Sequence, residues 1–518
     1  MCDTLVNEIV ESYCKIRPLD ATRLFETHLE DWNWGMTIID PDRYFEKKLK
    51  SVECKSPFIS SLEEMLFREN SVYYKDSLWK YVPMTNSSNP YRELFKMVET
   101  KNIQLDTKEH IDQFKDRSYK FLAQIPYYKQ LIQEGIEKGI NPSRSSLQRL
   151  ICYLITLKTP ICENDIVKEW IYKHLIISSI ELGIWLHSEI LPYAKESIGV
   201  YGWPSYKKMY EEKLINNCGN YTPEEAEKIG WTAVKQILHL QEKLIHSVYP
   251  TISRNEFIKN YLRSKENHFQ SEEELKDYVS SLFNKLEDIV FSKLKKPKGY
   301  IKPNIIFYSD PYRYLGEASF GDIIKGIGPT FYVNTANWKT VVKSDYVPFT
   351  LHEALPGHCL HAQYLLRYKG KSIPDYVKLF HFNDTAEAIG LFSEGLFNEK
   401  GIMSHTREGH ILEDFSRLNY RMWRALRCIV DVGIHIKGYS ETDCLNLMKT
   451  YCTHEDDILI NEIQRYADNP GQACSYYIGY SQLERCVKNH WKDRYKFYQC
   501  LLENSMFDME TIINNCSV

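Results

Sequence analysis

Along most of this chain apolar residues recur every three or four positions among charged ones, the spacing that gives a helix one apolar face. In TKEHIDQFKDRSYKFLAQIPYYKQLIQEGIEKGI, Ile111, Phe114, Phe121 and Leu122 fall roughly on one side. YKHLIISSIELGIWLHSEIL and TPEEAEKIGWTAVKQILHLQEKLIHSVYP predict further long helices. The latter has a marked start: Thr222 can cap, Pro223 suits the first helical position, and Glu225 completes a capping box. Only Ile301–Ser309 and Pro329–Thr335 read as strands. From Val377 onward the helical pattern returns, interrupted at Pro470 and Gly471. The expected fold is therefore mainly α, with a small sheet. A boundary within Lys285–Gly299 would divide it into an N-terminal helical region, 1–290, and a second region, 291–518, unless the chain is one compact unit.

With 518 residues there is ample material for a core, and 65 Lys+Arg against 69 Asp+Glu leave a formal charge of -4. No basic block marks a nucleic-acid or membrane partner. MCDTLVNEIVESYCKIRPLD carries acids where a secretory signal would be basic, and no long apolar run is evident, so a soluble cytoplasmic protein is expected. The 14 cysteines lie singly, which reads as reduced thiols rather than a disulfide framework.

The candidate chemistry is concentrated in LHEALPGHCLH, Leu351 to His361. Zinc peptidases with a His-Glu-x-x-His motif place two histidines one helical turn apart, with the intervening Glu as base. Here His358 follows His352 by six residues, which on a regular helix leaves it roughly 120 degrees off the same face. Pro356 has no N–H for the carbonyl of His352 and its ring clashes there, so the helix must open. A bulge that absorbs two residues would bring His358 back beside His352. Alternatively, His358 and His361 begin a new helix unrelated to His352. Cys359 and His361 offer rival ligands, and a third protein ligand is needed. AEAIGLFSEGLFNEKG supplies Glu394 as the leading candidate, with Glu387 and Glu399 as competitors.

These residues resemble domain-of-unknown-function family 885, a group of zinc-metallopeptidase-like proteins allied to the gluzincins. The resemblance rests on HEALPGH, on SEG at 393–395, on RALRCIVDVGIH at 424–435 and on RYADNPGQACSYYIG at 465–479. It extends over about residues 300 to 515 with the GPTFYVNT strand. It implies a large helical metallopeptidase-like fold with the small sheet beside the motif helix. It further implies His352, His358 and Glu394 as zinc ligands and Glu353 as base; the dipeptidyl peptidase III family, whose motif is also lengthened, is a precedent. Arg427, Asp431, His435, Arg465, Tyr466 and Tyr476 would line the site. The chain departs from the family pattern at Cys359, Leu396, Phe397 and Glu399, which implies an altered pocket wall.

Zn2+ held by two imidazoles and a carboxylate keeps a position for water and lowers its pKa toward about 7. Glu353 would accept the water's proton, and Tyr476 or His435 would donate to the developing oxyanion. Asp431 could orient a ligand histidine, or pair with Arg427 one turn before it. A peptide substrate could add to the edge of TFYVN. The expected function is a zinc metallopeptidase. A catalytically impaired helical scaffold and a zinc hydrolase of a non-peptide amide are the alternatives.

Overall fold

The computed structural model describes residues 2–16, 44–50, 56–72, 77–87, 89–99, 105–160, 162, 164–310, 314–321, 327–369, 371–397, 401–404 and 406–517. Helices dominate. The elements that build the site are α1 (Pro223–His246), β1 (Asn304–Tyr308), β2 (Gly316–Ser319), β3 (Thr330–Asn334), α2 (Tyr346–Glu353), α3 (His358–Tyr364), α4 (Asn383–Ser393) and α5 (Arg407–Val432). They continue with α6 (Asp456–Asp468), α7 (Gln472–His490), α8 (Arg494–Glu503) and α9 (Met509–Cys516). α1 begins with the capping box read from the sequence, the Thr222 hydroxyl accepting from the Glu225 N–H and the Glu225 carboxylate from the Thr222 N–H. The long stretch from Thr107 divides into two helices, Lys108–Leu122 and Ile125–Glu137, with Pro126 in the first turn of the second.

Both expected strands form, as β1 and β3, and β2 joins them in the order β1-β3-β2. β3 is parallel to β1, with Asn304 opposite Thr330, and antiparallel to β2, with Ala318 opposite Phe331. TFYVN is thus the central strand and offers no free edge to a peptide; the outer strand on the motif side is β2. Phe331 and Val333 alternate into the core. Phe331 meets Phe349 of α2 at 5.4 Å between ring centres, which fixes the sheet beside the motif helix.

The main apolar core runs from Val72 to Cys516. Its most extensive helix pairings are α1 with α5 and α4 with α7. A second core gathers residues from Met84 to Ala194. Within it lies a helical run, Asp165–Tyr193, that is long and apolar enough to cross a membrane by length and composition. This differs from the expectation of no such run, because helix continuity carries the apolar character past Lys173, His174 and Glu181. Val167, Ile171, Leu175, Leu182 and Leu186 on it pack with Leu147, Leu150 and Leu154. The thiol expectation also needs correction at one place: Cys500 and Cys516 form a disulfide between α8 and α9. Nine other cysteines among the described residues are free, Cys359 among them.

Candidate metal centre

α2 does not bulge through the motif; it ends at Glu353, and a second helix starts at His358. Between them the Leu355–Pro356 peptide is cis. The Gly357 N–H reaches back to the Leu351 carbonyl at 2.9 Å. This closure needs glycine, because a Cβ at 357 would lie 1.8 Å from the His352 carbonyl oxygen. The break therefore does what a bulge was expected to do. His352 and His358, on different helices, stand with ring centres 4.8 Å apart and nearly perpendicular.

α4 supplies the carboxylates. Glu387 and Glu394 are seven residues apart, close to two full turns, so they share one face about 10.5 Å apart along the axis. Gly390 lies between them, and the His352 ring lies against it: a Cβ there would sit 2.7 Å from Nε2. The imidazole is thereby gripped at both ends. Its Nδ1 donates to Glu394 Oε1 at 2.9 Å, since an ionised carboxylate can only accept. That tautomer leaves Nε2 turned toward Glu387 Oε2, 3.5 Å away. His358 Nε2 lies 3.6 Å from the same oxygen.

These three ligand atoms lie within 4.8 Å of one another. The fit to zinc can be judged from their spacing. Ligand atoms about 2.05 Å from a tetrahedral zinc stand about 3.4 Å apart. The separations of 3.5 and 3.6 Å match that edge and are long for hydrogen bonds. Two imidazoles and one carboxylate also form a known zinc ligand set that leaves a position open. The residues present fit the metal, with Glu387 in the place the sequence had favoured for Glu394. Glu394 instead holds Nδ1 of His352, where the sequence had offered Asp431 as the carboxylate to orient a ligand histidine.

The carboxylates favour a positive charge among these groups, whether a proton on His352 or a cation in its place. Burial works against a charged His352, but Glu387 and Glu394 on its two nitrogens prevail and raise its pKa to about 9. Burial likewise opposes ionised Glu387, yet the two imidazoles hold it well below the usual carboxylate range. Glu353 sits at the end of α2, with Oε2 accepting from the Ala318 N–H of β2 at 2.9 Å. Burial raises its pKa, partly countered by His352 and His358. Phe320, just beyond β2, covers His358 and His361 with ring centres 5.9 and 5.7 Å away. His361 and Cys359 are buried outside the cluster. Burial, then His358, holds His361 down to about 3.

Tyr476 on α7 is half-buried near Glu387, whose charge adds to burial in raising its phenol pKa. His435 is placed elsewhere. Its Nδ1 accepts from the Val200 N–H and its Nε2 donates to the Tyr466 carbonyl, so it has no proton to offer an oxyanion. Asp431 accepts from the Tyr210 hydroxyl and the Gly471 N–H and makes no contact with His352. Arg427 pairs with Glu462 of α6 at 2.9 Å rather than with Asp431. Arg465 also pairs with Glu462, and Tyr466 donates to it. Of the departures from the family pattern, Cys359, Leu396 and Phe397 are buried in the main core. Glu399 lies outside the described residues. Sequence reasoning missed Gly390, Phe320 and the Ala318 N–H. The seven-residue spacing of Glu387 and Glu394 about a glycine was the available signal for the carboxylate pair.

Fold and cluster together define a mainly helical protein with a buried His-His-Glu centre. The chain belongs to the family of bacterial proteins of unknown function known as DUF885, whose profile matches residues 58–494. Its fold is shared by two putative lipoproteins of known structure. The one from Colwellia psychrerythraea has a TM-score of 0.78 at 16% identity, over 99% of this chain and 98% of that one. The one from Shewanella oneidensis, of unknown function, has a TM-score of 0.68 at 15% identity, over 98% of each. None of the curated proteins compared with the chain matches it.

Proposed function

We propose that this chain is a zinc-dependent peptidase in which His352, His358 and Glu387 hold the metal and Glu353 is the general base. The observation that carries this reading is the convergence of those three ligand atoms beside Glu353. When bound, zinc supplies Lewis acidity to a water and a scissile carbonyl. Glu353 holds one oxygen on the Ala318 N–H and has the other to take a proton from the water and return it to the leaving amine. Glu394 keeps the proton of His352 on Nδ1, so Nε2 stays available as a ligand. Tyr476, whose phenol remains protonated near Glu387, is the hydrogen-bond donor for the developing oxyanion.

The substrate reading follows from β2. Ala318 N–H points away from β3 toward Glu353, so the outer edge of β2 borders the cluster. An extended peptide pairing with that edge would pass the base. The two fold neighbours are named lipoproteins, which pulls against the cytoplasmic expectation for this chain. The test is a digest of a mixed peptide library by zinc-loaded wild type and Glu353→Gln. Turnover is expected to fall by roughly 100-fold or more in the variant, with zinc retained. Equal cleavage by both proteins would remove Glu353 from the mechanism.

A further inference from the structure

The basic cluster beside the metal centre holds two guanidinium groups. Arg427 on α5 and Arg465 on α6 share a single carboxylate, Glu462: Arg427 Nη2 donates to it at 2.9 Å, and Arg465 Nε and Nη2 donate at 3.2 and 3.1 Å. Burial disfavours the charge on Glu462, but the two guanidinium groups hold its pKa well below the usual range, so it stays ionised. One carboxylate thus bonds both guanidinium groups, while Asp431 acts on Arg465 through space without a hydrogen bond. The Tyr466 hydroxyl donates to Glu462 and accepts from Arg427 Nε and Trp423 Nε1, which fixes the guanidinium in place without adding charge.

One donor of this cluster is unmet. Arg427 Nη1 is buried and has no hydrogen-bond partner among the described residues. An unmade bond on a buried guanidinium is costly, which marks the position as one prepared for an acceptor. The Arg427 guanidinium carbon stands 4.3 Å from the centre of the Tyr476 ring. Tyr476 in turn feels the Glu387 carboxylate. One aromatic side chain therefore lies between Arg427 and the metal cluster. Arg465 opens the cluster to solvent, its side chain 30% exposed, with Nη1 bound to Gln472 Oε1 at 2.6 Å.

We propose that Arg427 and Arg465 form an anion subsite that takes a carboxylate of the peptide substrate, either its C-terminus or an acidic side chain near the scissile bond. The proposal rests on the peptidase reading above. A planar guanidinium with a free N–H suits a carboxylate, because charge-assisted hydrogen bonds to it are short and directional. Arg427 is the buried anchor, and Arg465 is the exposed partner through which a ligand enters.

Binding separates this proposal from catalysis. The probes are an N-terminally labelled pentapeptide with a free C-terminal carboxylate, its C-terminal amide, and an amide with glutamate in place of glutamine as its last residue. Fluorescence anisotropy is read on zinc-loaded full-length Glu353→Gln, with and without Arg465→Gln. The free acid is expected to bind about tenfold tighter than the amide, and Arg465→Gln to shrink that gap to under about twofold while leaving amide binding unchanged. If the glutamate-bearing amide recovers the tight binding, the subsite stands and its ligand is an acidic side chain. Equal binding of all three peptides overturns the subsite, as does binding of none, or a preference that survives Arg465→Gln. Wild type that cleaves acid and amide equally well would lose this subsite and keep the peptidase reading.

Discussion

His352 and His435 are both buried near carboxylates, and their surroundings set them apart. His352 is held by Glu394 at 2.9 Å, while His435 lies 3.8 Å from Asp431, one turn earlier on the same helical run. Both are almost inaccessible. At His435 the main chain takes both ring nitrogens, and burial, aided by the Lys195 charge and opposed by the Tyr466 carbonyl, pushes the pKa down to about 3. At His352 one nitrogen is held by a carboxylate and the other is turned to a second carboxylate and a second histidine, and the pKa rises to about 9. The first arrangement fastens the 199–200 turn to α6. The second draws a positive charge to Nε2, a proton that a bound cation would displace. Residue types do not separate the two; the atoms left uncommitted do.

The largest expected effect comes from exchanging the roles of these histidines. His352→Ala removes a ligand and is expected to abolish stoichiometric zinc, whereas His435→Gln is expected to keep about one zinc per chain. Plasma emission spectrometry on both purified proteins decides it. Loss of zinc from His435→Gln, in protein that keeps its helical circular dichroism, would erase the distinction.

The next comparison lies within α4. Glu387→Ala deletes a ligand and should remove zinc, while Glu394→Gln should weaken zinc affinity by about 10- to 100-fold without abolishing it. Competition with a chelator measures both. If the two variants exchange these outcomes, Glu394 is the ligand and Glu387 the supporting group.

The smallest effect concerns stability. The folded pKa of His435 lies below its ordinary value of 6.5, so the unfolded chain takes up the proton first as pH falls. Its contribution is fully present above pH 6.5 and is lost progressively toward pH 3, at up to about 1.4 kcal/mol per pH unit. His454 shifts in the same direction, also through burial. Urea midpoints between pH 7 and pH 5 should therefore fall, and His435→Gln should show a shallower slope than wild type. An unchanged slope would mean that His435 is charged in the fold.

Much of this arrangement is visible in the sequence wherever local chemistry decides. Thr222, Pro223 and Glu225 begin α1 as their types require, and the β-rich segments Asn304–Tyr308 and Thr330–Asn334 form strands. Pro356 and Gly357 signal that the motif helix must open, and leave open whether it bulges or ends and restarts, as it does. The short strand Gly316–Ser319 carries no alternation to reveal it, since its pairing with β3 depends on tertiary contact. The choice between Glu387 and Glu394 depends on which nitrogen of His352 each one meets, and that is set by how α4 crosses α2 over Gly390. Asp431 and His435 share a helical face with the right types for chemistry. Only their neighbours in the fold, the main chain of residues 200, 466 and 471 and the Tyr210 hydroxyl, show that they are already occupied.

The central claim is that a metal sits among His352, His358 and Glu387. It is tested most directly by anomalous diffraction from crystals of the zinc-loaded protein, collected on both sides of the zinc edge. The account predicts one strong anomalous peak about 2 Å from Nε2 of His352, Nε2 of His358 and a carboxylate oxygen of Glu387, with Glu394 still on Nδ1 of His352. A peak coordinated by Glu394 with Glu387 turned away, or no peak at these residues in protein carrying stoichiometric zinc, would contradict it.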